Sequence, residues 1–386
     1  MNTMGHAQEI SQELSSWRQD FHMHPELGFQ ETRTAGRVAE LLESFGCRVK
    51  RGVGRTGVVG ELGSGSPCIA IRADMDALPI QEANQTPYAS RNDGVMHACG
   101  HDAHTAMALG AAKILSEMQT NGSVRFLFQP SEEVNDAEGL SGAPRMIADG
   151  ALRGVDMVIA QHVDPATPVG DIRLGAGPAS GGVDSFFARI IGKGGHGARP
   201  QDAIDPIYIS AFVILGLNGI VSRKLHPFDP AVVSLGSIHG GQAENVIPRH
   251  VELSGTLRYT EPKVQKQVHA EIKCAFELAR SLGGDYQLRF ETGNRPMINH
   301  PEAVELIRLA AIDLLGEAHV LPFQKELGAE DFACFTEEVP GAMFVLGTRL
   351  DGDERFGHNP HFDIDERALP MGAALLVETV LRFLGR

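Results

Sequence analysis

The sequence predicts an α/β fold in which a smaller ferredoxin-like domain, with the element order βαββαβ, is inserted into a domain built on a mostly parallel sheet. Three observations support this prediction. The chain of 386 residues exceeds the usual size of one domain. In its first half, nearly all-apolar strand segments alternate with helical ones. After a Gly- and Ser-rich stretch at 175–182, a different order of elements follows.

The chain opens with two helical segments and two short strands. Ile10, Leu14, Trp17 and Phe21 follow helical spacing and predict an amphipathic helix over residues 7–23. A second helix is predicted for TAGRVAELLESFG, which Gly46 ends, and strands are predicted for GVVGEL and CIAIRADMD. The segment GVGRTG matches the GxGxxG pattern of dinucleotide-binding loops, but a strand follows it and not a helix. It is therefore predicted to be a turn.

The following segments continue the alternation of helix and strand. The predicted elements are an alanine-rich helix at 103–118, the strand SVRFLFQP, a helix around APRMIADG and the strand DMVIAQHV. Strands with so few polar residues are typical of a parallel sheet that helices cover on both faces.

The inserted domain is predicted from the elements after residue 182. They are a strand at 184–191, a helix at 203–222, strands at 231–239 and 250–259, a helix at 262–282 and a strand at 285–292. From about residue 295 the chain returns to a helix, the strand AMFVLG and a closing helix at 366–384. The predicted boundaries are therefore 1–182 and 294–386 for the two parts of the sheet domain, and 183–293 for the insertion.

Composition excludes several classes of function. A formal charge of −15 without any run of Lys or Arg argues against binding to nucleic acids or anionic membranes. No apolar run approaches the roughly 18 residues of a membrane span, and the N-terminus does not resemble a secretory signal. The five cysteines are odd in number and scattered, which indicates a reducing compartment. We therefore expect a cytoplasmic protein.

Potential metal ligands collect where predicted strands end, which is where open α/β sheets bind ligands. Imidazole, thiolate and carboxylate groups together fit a divalent transition ion such as Zn²⁺ or Mn²⁺ and offer too few oxygens for Ca²⁺. The candidates are Asp74 and Asp76 after one strand, Glu132 and Glu133 after the next, His162 after a third, Cys99 and His101 in MHACGHDAHT, and His358 and His361 in FGHNPHFD.

Two of these groups suggest how the chemistry is divided. Cys99 and His101 can bind one ion because Gly100 lets the backbone turn between them. Side chains of adjacent residues in extended backbone point in opposite directions, so one carboxylate of the pair Glu132 and Glu133 can bind metal while the other acts as general base.

Two further expectations come from the same cluster. Asp76 could orient a histidine ligand. A competing interpretation makes Cys99 a nucleophile with His101 or His104 as its base, and activity that survives chelators would favour that interpretation.

With these clusters assembled, the chain resembles the M20 metallopeptidase family, and within it the amidohydrolase subgroup of hippurate hydrolases, N-acyl-amino acid deacylases and indole-3-acetyl-amino acid hydrolases. The matching motifs span nearly the whole chain. They are HPELGF (24–29), RADMDALPI (72–80), MHACGHDAHTA (96–106), FQPSEE (128–133), GKGGHGARP (192–200), GGQAENVIP (240–248), SGTLR (254–258), LGAEDFACF (327–335) and HNPHFDIDE (358–366).

The resemblance implies a catalytic domain with an inserted lid domain that commonly mediates dimerisation. It implies hydrolysis of N-acyl amino acids by a metal-activated water, with Glu132 as general base and Asp76 and His196 supporting catalysis. His196, Asn245 and Arg258 are expected to bind substrate. Two divalent ions per subunit, Mn²⁺ or Zn²⁺ first and Co²⁺ or Ni²⁺ next, are expected on five ligands, namely Cys99, His101, Glu133, His162 and His361.

Three points remain open at this stage. Many M20 peptidases have a histidine ligand where this chain has Asp74, and Asp74 is not among the ligands that the resemblance implies. A dipeptidase or aminopeptidase of the same family would need a carboxylate, such as Asp74 or Asp136, to receive a free α-amine. A binding protein that keeps the fold without catalysis is the alternative from another class.

Overall fold

The computed structural model describes residues 2–323, 327–353 and 355–385. Within these residues the α-helices are α1 (Thr3–Glu9), α2 (Ser11–Met23), α3 (Thr32–Ser44), α4 (His101–Ser116), α5 (Gly142–Ala148), α6 (Pro206–Lys224), α7 (Pro262–Ser281), α8 (Pro301–Leu315), α9 (Ala333–Glu338) and α10 (Leu369–Phe383). Short 3₁₀ turns lie at Pro200–Asp202, Glu317–His319 and Glu366–Ala368.

The strands in the same described ranges are β1 (Arg48–Val53), β2 (Gly57–Gly63), β3 (Cys68–Asp74), β4 (Ser123–Gln129), β5 (Met157–Pro168), β6 (Ile172–Leu174), β7 (Gly177–Pro178), β8 (Gly182–Ile191), β9 (Gly195–His196), β10 (Ala231–Gly240), β11 (Val246–Ile247), β12 (His250–Tyr259), β13 (Asp285–Thr292), β14 (Ile298–Asn299), β15 (Val320–Pro322) and β16 (Gly341–Arg349). The GVGRTG segment joins β1 to β2, as the predicted turn requires.

The described residues divide into two compact units. The first comprises residues 2–179, 298–323, 331–353 and 355–385, and the second comprises 180–297 and 327–330. The sequence placed the junctions at 182/183 and 293/294, and it assigned residues 327–330 to the sheet domain. The backbone of this short segment joins the second unit, where the N–H of Gly181 donates to the carbonyl of Gly328 at 2.8 Å.

The first unit is an α/β structure on one eight-stranded sheet with the order β1-β2-β4-β3-β5-β16-β6-β15. Strands β4, β3, β5 and β16 run parallel, as the apolar strand segments predicted. The sheet as a whole is mixed, because β1, β2 and β4 pair antiparallel and β6 pairs antiparallel with β16. The β1-β2 pair is a hairpin, and a connection that short cannot join parallel strands.

The core of the first unit lies between its sheet and its helices. Completely buried side chains from both contribute to it, among them Leu14 of α2, Val38 of α3, Leu109 of α4, Phe126 of β4 and Ile159 of β5. The predicted helix at 7–23 is divided into α1 and α2, with Ile10 between them.

The second unit contains a four-stranded antiparallel sheet with the order β10-β12-β8-β13. Along the chain its main elements are β8, α6, β10, β12, α7 and β13, which is the βαββαβ order. Ile209 and Val213 of α6 and Phe276 of α7 lie in its core with Phe186 of β8.

Helix α6 bears on the expectation that no segment of the chain resembles a membrane span. It has 19 residues and is apolar enough, by length and composition, to cross a membrane. Glycine, serine and asparagine are interspersed among its apolar residues, so it contains no long uninterrupted apolar run. In the structure, one side of α6 contributes Leu217 and Ile220 to the core of its own unit, as a core helix does, while Tyr208 and Leu215 are exposed.

Candidate metal centre and active site

The candidate site lies at the carboxyl ends of three neighbouring parallel strands, β4, β3 and β5. Asp74 ends β3, and Glu132 and Glu133 follow β4 after a short turn. His162 lies within β5, which continues past it to Pro168, and His101 is the first residue of α4. The residues predicted to form the site therefore lie together at the edge of the sheet where its parallel central strands end.

The turn before α4 places Cys99 and His101 side by side. Gly100 between them has a φ of 88°, in the left-handed region that favours glycine. A Cβ atom at Gly100 would lie 2.2 Å from Val163 Cγ2, so no larger residue fits without displacement. Cys99 Sγ lies 3.5 Å from His162 Nε2, and the three ligand atoms of Cys99, His101 and His162 are within 4.8 Å of one another.

The imidazole of His101 is held for metal binding. Its Nδ1 lies 2.8 Å from the carbonyl oxygen of Asp76, to which it donates a hydrogen bond. Its Nε2 is buried and has no hydrogen-bond partner in the described part of the chain. Because buried polar atoms are almost always partnered, an unpartnered nitrogen beside a thiolate and a second imidazole fits a metal ligand.

A second group of potential ligands contains Cys99, Glu133 and His358. His358 Nε2 lies 3.0 Å from Glu133 Oε1. His361, the ligand expected from the sequence, belongs to no such group among the described residues. His358 has a φ of 56°, and the N–H of His361 donates to Asn359 Oδ1 at 2.9 Å, so the loop turns between the two histidines. The structure therefore brings His358 to the cluster in place of His361.

Asp76 fixes the backbone of the glutamate pair. One of its carboxylate oxygens accepts the N–H of Glu132 at 3.0 Å, and the other accepts the N–H of Glu133 at 3.1 Å. The first oxygen also lies 3.3 Å from His101 Nδ1. Ligand atoms of His101, Glu132 and Glu133 lie within 4.8 Å of one another. Asp76 thus orients the glutamate backbone as well as a histidine.

His104 lies close to the cluster but is committed to structural hydrogen bonds. Its Nδ1 lies 2.6 Å from Asp74 Oδ1, and its Nε2 accepts the N–H of Val163 at 2.9 Å. Burial outweighs the attraction of Asp74 and lowers the pKa of His104 to about 4. With both nitrogens engaged, this neutral imidazole can serve neither as a metal ligand nor as the base for a nucleophilic Cys99.

A buried polar network behind the site was not identified from the sequence. Arg72 donates from Nη1 to Asp74 at 2.6 Å and from Nη2 to Asp331 at 3.0 Å. Gln129 also donates to Asp331 at 2.8 Å, and the N–H of Asp331 donates to Glu132 Oε1 at 3.4 Å. The signal available in the sequence was a charged residue, Arg72, inside the otherwise apolar strand CIAIRAD.

The electrostatics of the cluster favour a thiolate. Burial alone would raise the pKa of Cys99, but His162, His101 and His358 lower it to about 6. The pKa of His358 is raised to about 10 by hydrogen bonding to Cys99 and Glu133. The raised pKa values of His101 and His358 mean that positive charge stabilises the thiolate of Cys99, a role that a bound metal ion would take over.

The donor set fits two divalent metal ions. It combines one thiolate, imidazole nitrogens and a carboxylate, the mixture that transition ions prefer. Three groups of potential ligands overlap through Cys99, His101 and Glu133, so the cluster extends beyond the ligand positions of one ion.

The second unit contains the three residues expected to bind substrate. His196 is exposed in β9, which pairs with β11, and its Nδ1 accepts the N–H of Ala198 at 3.0 Å. Asn245 is exposed just before β11, and its carbonyl accepts the N–H of Gly197 at 2.8 Å. Arg258 in β12 is half-buried and donates from Nη1 to the carbonyl of Leu327 at 2.8 Å. His196 and Asn245 are therefore neighbours on one short ribbon.

Comparison with known proteins agrees with this geometry. The model of peptidase family M20/M25/M40 matches residues 70–382. The chain is 37% identical to an N-acetyl-L-cysteine deacetylase of Bacillus subtilis over 97% of its length and 89% of the relative's. It is 44% identical to an N-acyl-L-amino acid amidohydrolase of Geobacillus stearothermophilus over 76% of its length and 80% of the relative's. A dinuclear metal-binding M20 peptidase of Bacillus subtilis shares 33% identity and a TM-score of 0.85, with 98% of this chain and 99% of that chain covered.

Proposed function

Because the chain belongs to peptidase family M20/M25/M40 and is a metal-dependent hydrolase of amides, we propose that it cleaves the amide bond of N-acyl amino acids, with acetyl or aryl-acyl groups. One observation carries this proposal. Glu132 and Glu133 are held together by Asp76 beside the cluster of Cys99 and His101, so a base and a metal ligand are adjacent.

The proposed metal ligands are five of the six side chains in the three overlapping groups, and the sixth, Glu132, is kept for proton transfer. When bound, two divalent ions supply the positive charge that lowers the pKa of water and polarises a carbonyl. Mn²⁺ and Zn²⁺ suit this mixture of donors, and Co²⁺ and Ni²⁺ are the next candidates. The proposed set is Cys99, His101, Glu133, His162 and His358, with His358 taking the role first expected of His361.

Glu132 is the proposed general base and, later, general acid. Its carboxylate takes a proton from the attacking water and returns it to the departing amine. The hydrogen bond from its own N–H to Asp76 fixes its backbone, and the N–H of Asp331 donates to its Oε1 at 3.4 Å. These contacts limit the positions of the carboxylate, which matters because proton transfer requires hydrogen-bond distance.

Substrate recognition is proposed for three residues of the second unit. The amino acid part of the substrate carries a free carboxylate, and a guanidinium such as that of Arg258 binds carboxylates in a bidentate manner. His196 and Asn245, neighbours on the β9-β11 ribbon, are the proposed contacts to the amide oxygen and the rest of the substrate. Replacing Arg258 with Lys should raise KM for N-acyl amino acids more than it lowers kcat.

The structure disfavours the peptidase alternative. That alternative needs a carboxylate to receive a free α-amine, and Asp74 and Asp136 were the sequence candidates. Asp74 is completely buried and engaged by Arg72 and His104. Asp136 is paired with two arginines, Arg55 and Arg145, at 2.5 and 2.6 Å. Neither carboxylate is therefore available to a substrate amine.

We also propose a homo-oligomer in the cytoplasm. In the second unit, β10 is an edge strand, and the neighbouring apolar residues Tyr208, Phe212 and Leu215 of α6 are exposed. Edge strands and apolar patches of this kind are commonly covered by a second copy. The proposal of a reducing compartment is based on the five cysteines, which are odd in number and scattered along the sequence. Light scattering of the purified protein and cell fractionation test these two proposals.

The deciding experiment measures hydrolysis by apoprotein that has been reloaded with Mn²⁺, Zn²⁺, Co²⁺ or Ni²⁺. N-acetyl amino acids and hippurate should be cleaved, and unblocked dipeptides should not. Glu132→Gln should keep its metal and lower kcat by about 10²- to 10⁴-fold. Glu138→Gln, an exposed glutamate on the same loop, is the matched control and should behave like the parent. Near-normal turnover by Glu132→Gln, or preference for dipeptides, would contradict the proposal.

A further inference from the structure

A buried glutamate far from the site in sequence, Glu31, is attached to the loop that carries the glutamate pair. The residue has no exposed surface. Its Oε1 accepts the N–H of Ser131 at 2.8 Å and the N–H of Phe29 at 2.9 Å, and its Oε2 accepts the hydroxyl of Thr56 at 2.5 Å. Ser131 immediately precedes Glu132.

The two backbone N–H groups that Glu31 Oε1 accepts belong to strained residues. Ser131 has a φ of 44° and Phe29 a φ of 60°, both in the left-handed region that non-glycine residues seldom adopt. Such conformations cost about 1–3 kcal/mol each and persist only where surrounding contacts hold them. Glu31 supplies a contact to both residues through one oxygen.

Glu31 does not serve the helix that it precedes. It is the residue before α3 (Thr32–Ser44), where a side chain often caps the first helical N–H groups. No capping hydrogen bond from the Glu31 side chain is present in α3. Its carboxylate is directed to the distant loop instead, so the demands of its own helix do not explain why it is buried.

Together with Asp76, Glu31 leaves the glutamate loop little freedom. The N–H groups of Ser131, Glu132 and Glu133 all donate to carboxylates, the first to Glu31 and the others to Asp76. The loop is also packed closely from the side of Glu31. A Cβ atom at Gly28 would lie 2.4 Å from Ser131 Oγ, so the HPELGF segment contacts Ser131 directly.

We propose that Glu31 is a positioning residue that sets the conformation at Ser131 and thereby the place of the Glu132 carboxylate in the reaction. The inference rests on the general-base role proposed for Glu132. A displacement of about 1 Å in a catalytic group can cost about 10²-fold in rate. Loss of the Glu31 acceptor frees Ser131 to leave its strained conformation, and a displacement of that size follows.

The acceptor role does not depend on the charge of Glu31. Burial raises the pKa of this carboxyl, the hydrogen bond from Thr56 opposes the rise, and the net pKa is about 7. In Glu31→Gln the amide oxygen can still accept the N–H of Ser131, and the Thr56 hydroxyl can rotate to accept from the new amide group. Glu31→Gln is therefore a rescue variant, while Glu31→Ala removes the acceptor.

The test compares Glu31→Ala and Glu31→Gln in the metal-loaded enzyme with Glu378→Ala as the matched control. Glu378 is also a buried glutamate of the first unit, 2% exposed, but it lies in α10, where Thr3 Oγ1 donates to it at 3.3 Å. Three quantities are measured: kcat and KM for N-acyl amino acids, unfolding by urea, and amide hydrogen exchange in the peptide that contains residues 129–134.

Glu31→Ala should lower kcat by about 10²-fold at nearly constant KM. It should also accelerate exchange of the Ser131 amide by about tenfold or more. Glu31→Gln should restore both values, and Glu378→Ala should lower stability while leaving both unchanged. If Glu31→Ala does not fold, Glu31→Asp, which is one methylene shorter, should give the same changes in kcat and exchange.

Unchanged exchange at 129–134, or a loss of kcat that Glu378→Ala reproduces, would overturn the positioning role. The exchange measurement does not depend on turnover. If the parent enzyme fails to cleave N-acyl amino acids but exchange still increases in Glu31→Ala, the proposed substrate is wrong and the control of this loop by Glu31 is supported.

Discussion

Replacing Asp76 with Asn tests the hydrogen bonds that hold the glutamate pair. The carboxylate accepts the N–H groups of Glu132 and Glu133 at 3.0 and 3.1 Å, one on each oxygen. An asparagine side chain has one acceptor oxygen and one donor group, so one of the two N–H groups must face another donor. Leaving a buried N–H unsatisfied costs about 1–3 kcal/mol.

This cost can appear in two measurements. If the loop relaxes around the substituted side chain, the free energy needed to return Glu132 to its productive position adds to the activation free energy. At about 1.4 kcal/mol per factor of ten, kcat then falls by about 5- to 150-fold. If the loop stays fixed, the free energy of unfolding falls by the same amount, about 1–3 kcal/mol. Because the carboxylate of Asp76 contacts the glutamate loop and the imidazole of His101, both of them in the site, we expect most of the loss in kcat.

The assay combines steady-state hydrolysis at saturating metal with urea unfolding of the same preparations. The matched control is Asp156→Asn. Asp156 also accepts a backbone N–H, that of Cys68 at 2.8 Å, but at the opposite end of β3 from the site. The control should retain the kcat of the parent. An Asp76→Asn enzyme with unchanged kcat and unchanged unfolding would refute the reasoning.

Two further predictions concern metal binding and pH. His358→Ala should lose bound metal on dialysis, measured by elemental analysis, while His361→Ala should retain it; the reverse result would restore the ligand first expected. Burial opposes the charge on His22, but Asp102 and Glu82 raise its pKa from 6.5 to about 9. His22 therefore contributes stability, on the order of 3 kcal/mol, that is complete below about pH 6.5 and is lost as the pH rises through about 9. The free energy of unfolding of His22→Gln, measured in urea, should depend less on pH between these values than that of the parent. A pH dependence parallel to the parent's would contradict this prediction.

The sequence was sufficient to predict the α/β architecture because its local patterns are strong. The apolar segments containing Ile71 and Ile159 predicted parallel central strands, and the structure contains them. The antiparallel pairs at the sides of the sheet were not predicted, because strand direction at an edge depends on tertiary pairing. The β1-β2 hairpin was not predicted because no strand was predicted at residues 48–53; with that strand present, the short connection sets the antiparallel direction.

The choice between His358 and His361 shows a second limit. Both histidines lie in one loop, three residues apart, and no helical or strand periodicity distinguishes them. In the folded loop His358 has a positive φ and its imidazole lies against Glu133, while the N–H of His361 donates to Asn359. These are properties of the folded loop.

Glu31 shows the same limit over a longer distance. It lies 100 positions from its partner Ser131 in the chain. Glu31 can hold Ser131 only because HPELGF packs against the loop of the glutamate pair. No sequence pattern within either segment reveals this packing.

The order of strands in the first unit has a consequence for how the protein is made. Strand β16 (Gly341–Arg349) lies between β5 and β6 in the sheet, although the whole insertion separates it from them in the chain. On the ribosome, the side of β5 that pairs with β16 therefore remains unpaired until residues near 349 have emerged. Residues 180–297, which make up nearly all of the second unit, are contiguous in the chain and are complete before then. An exposed apolar strand edge during this interval is a site for aggregation, and for the chaperones that prevent it.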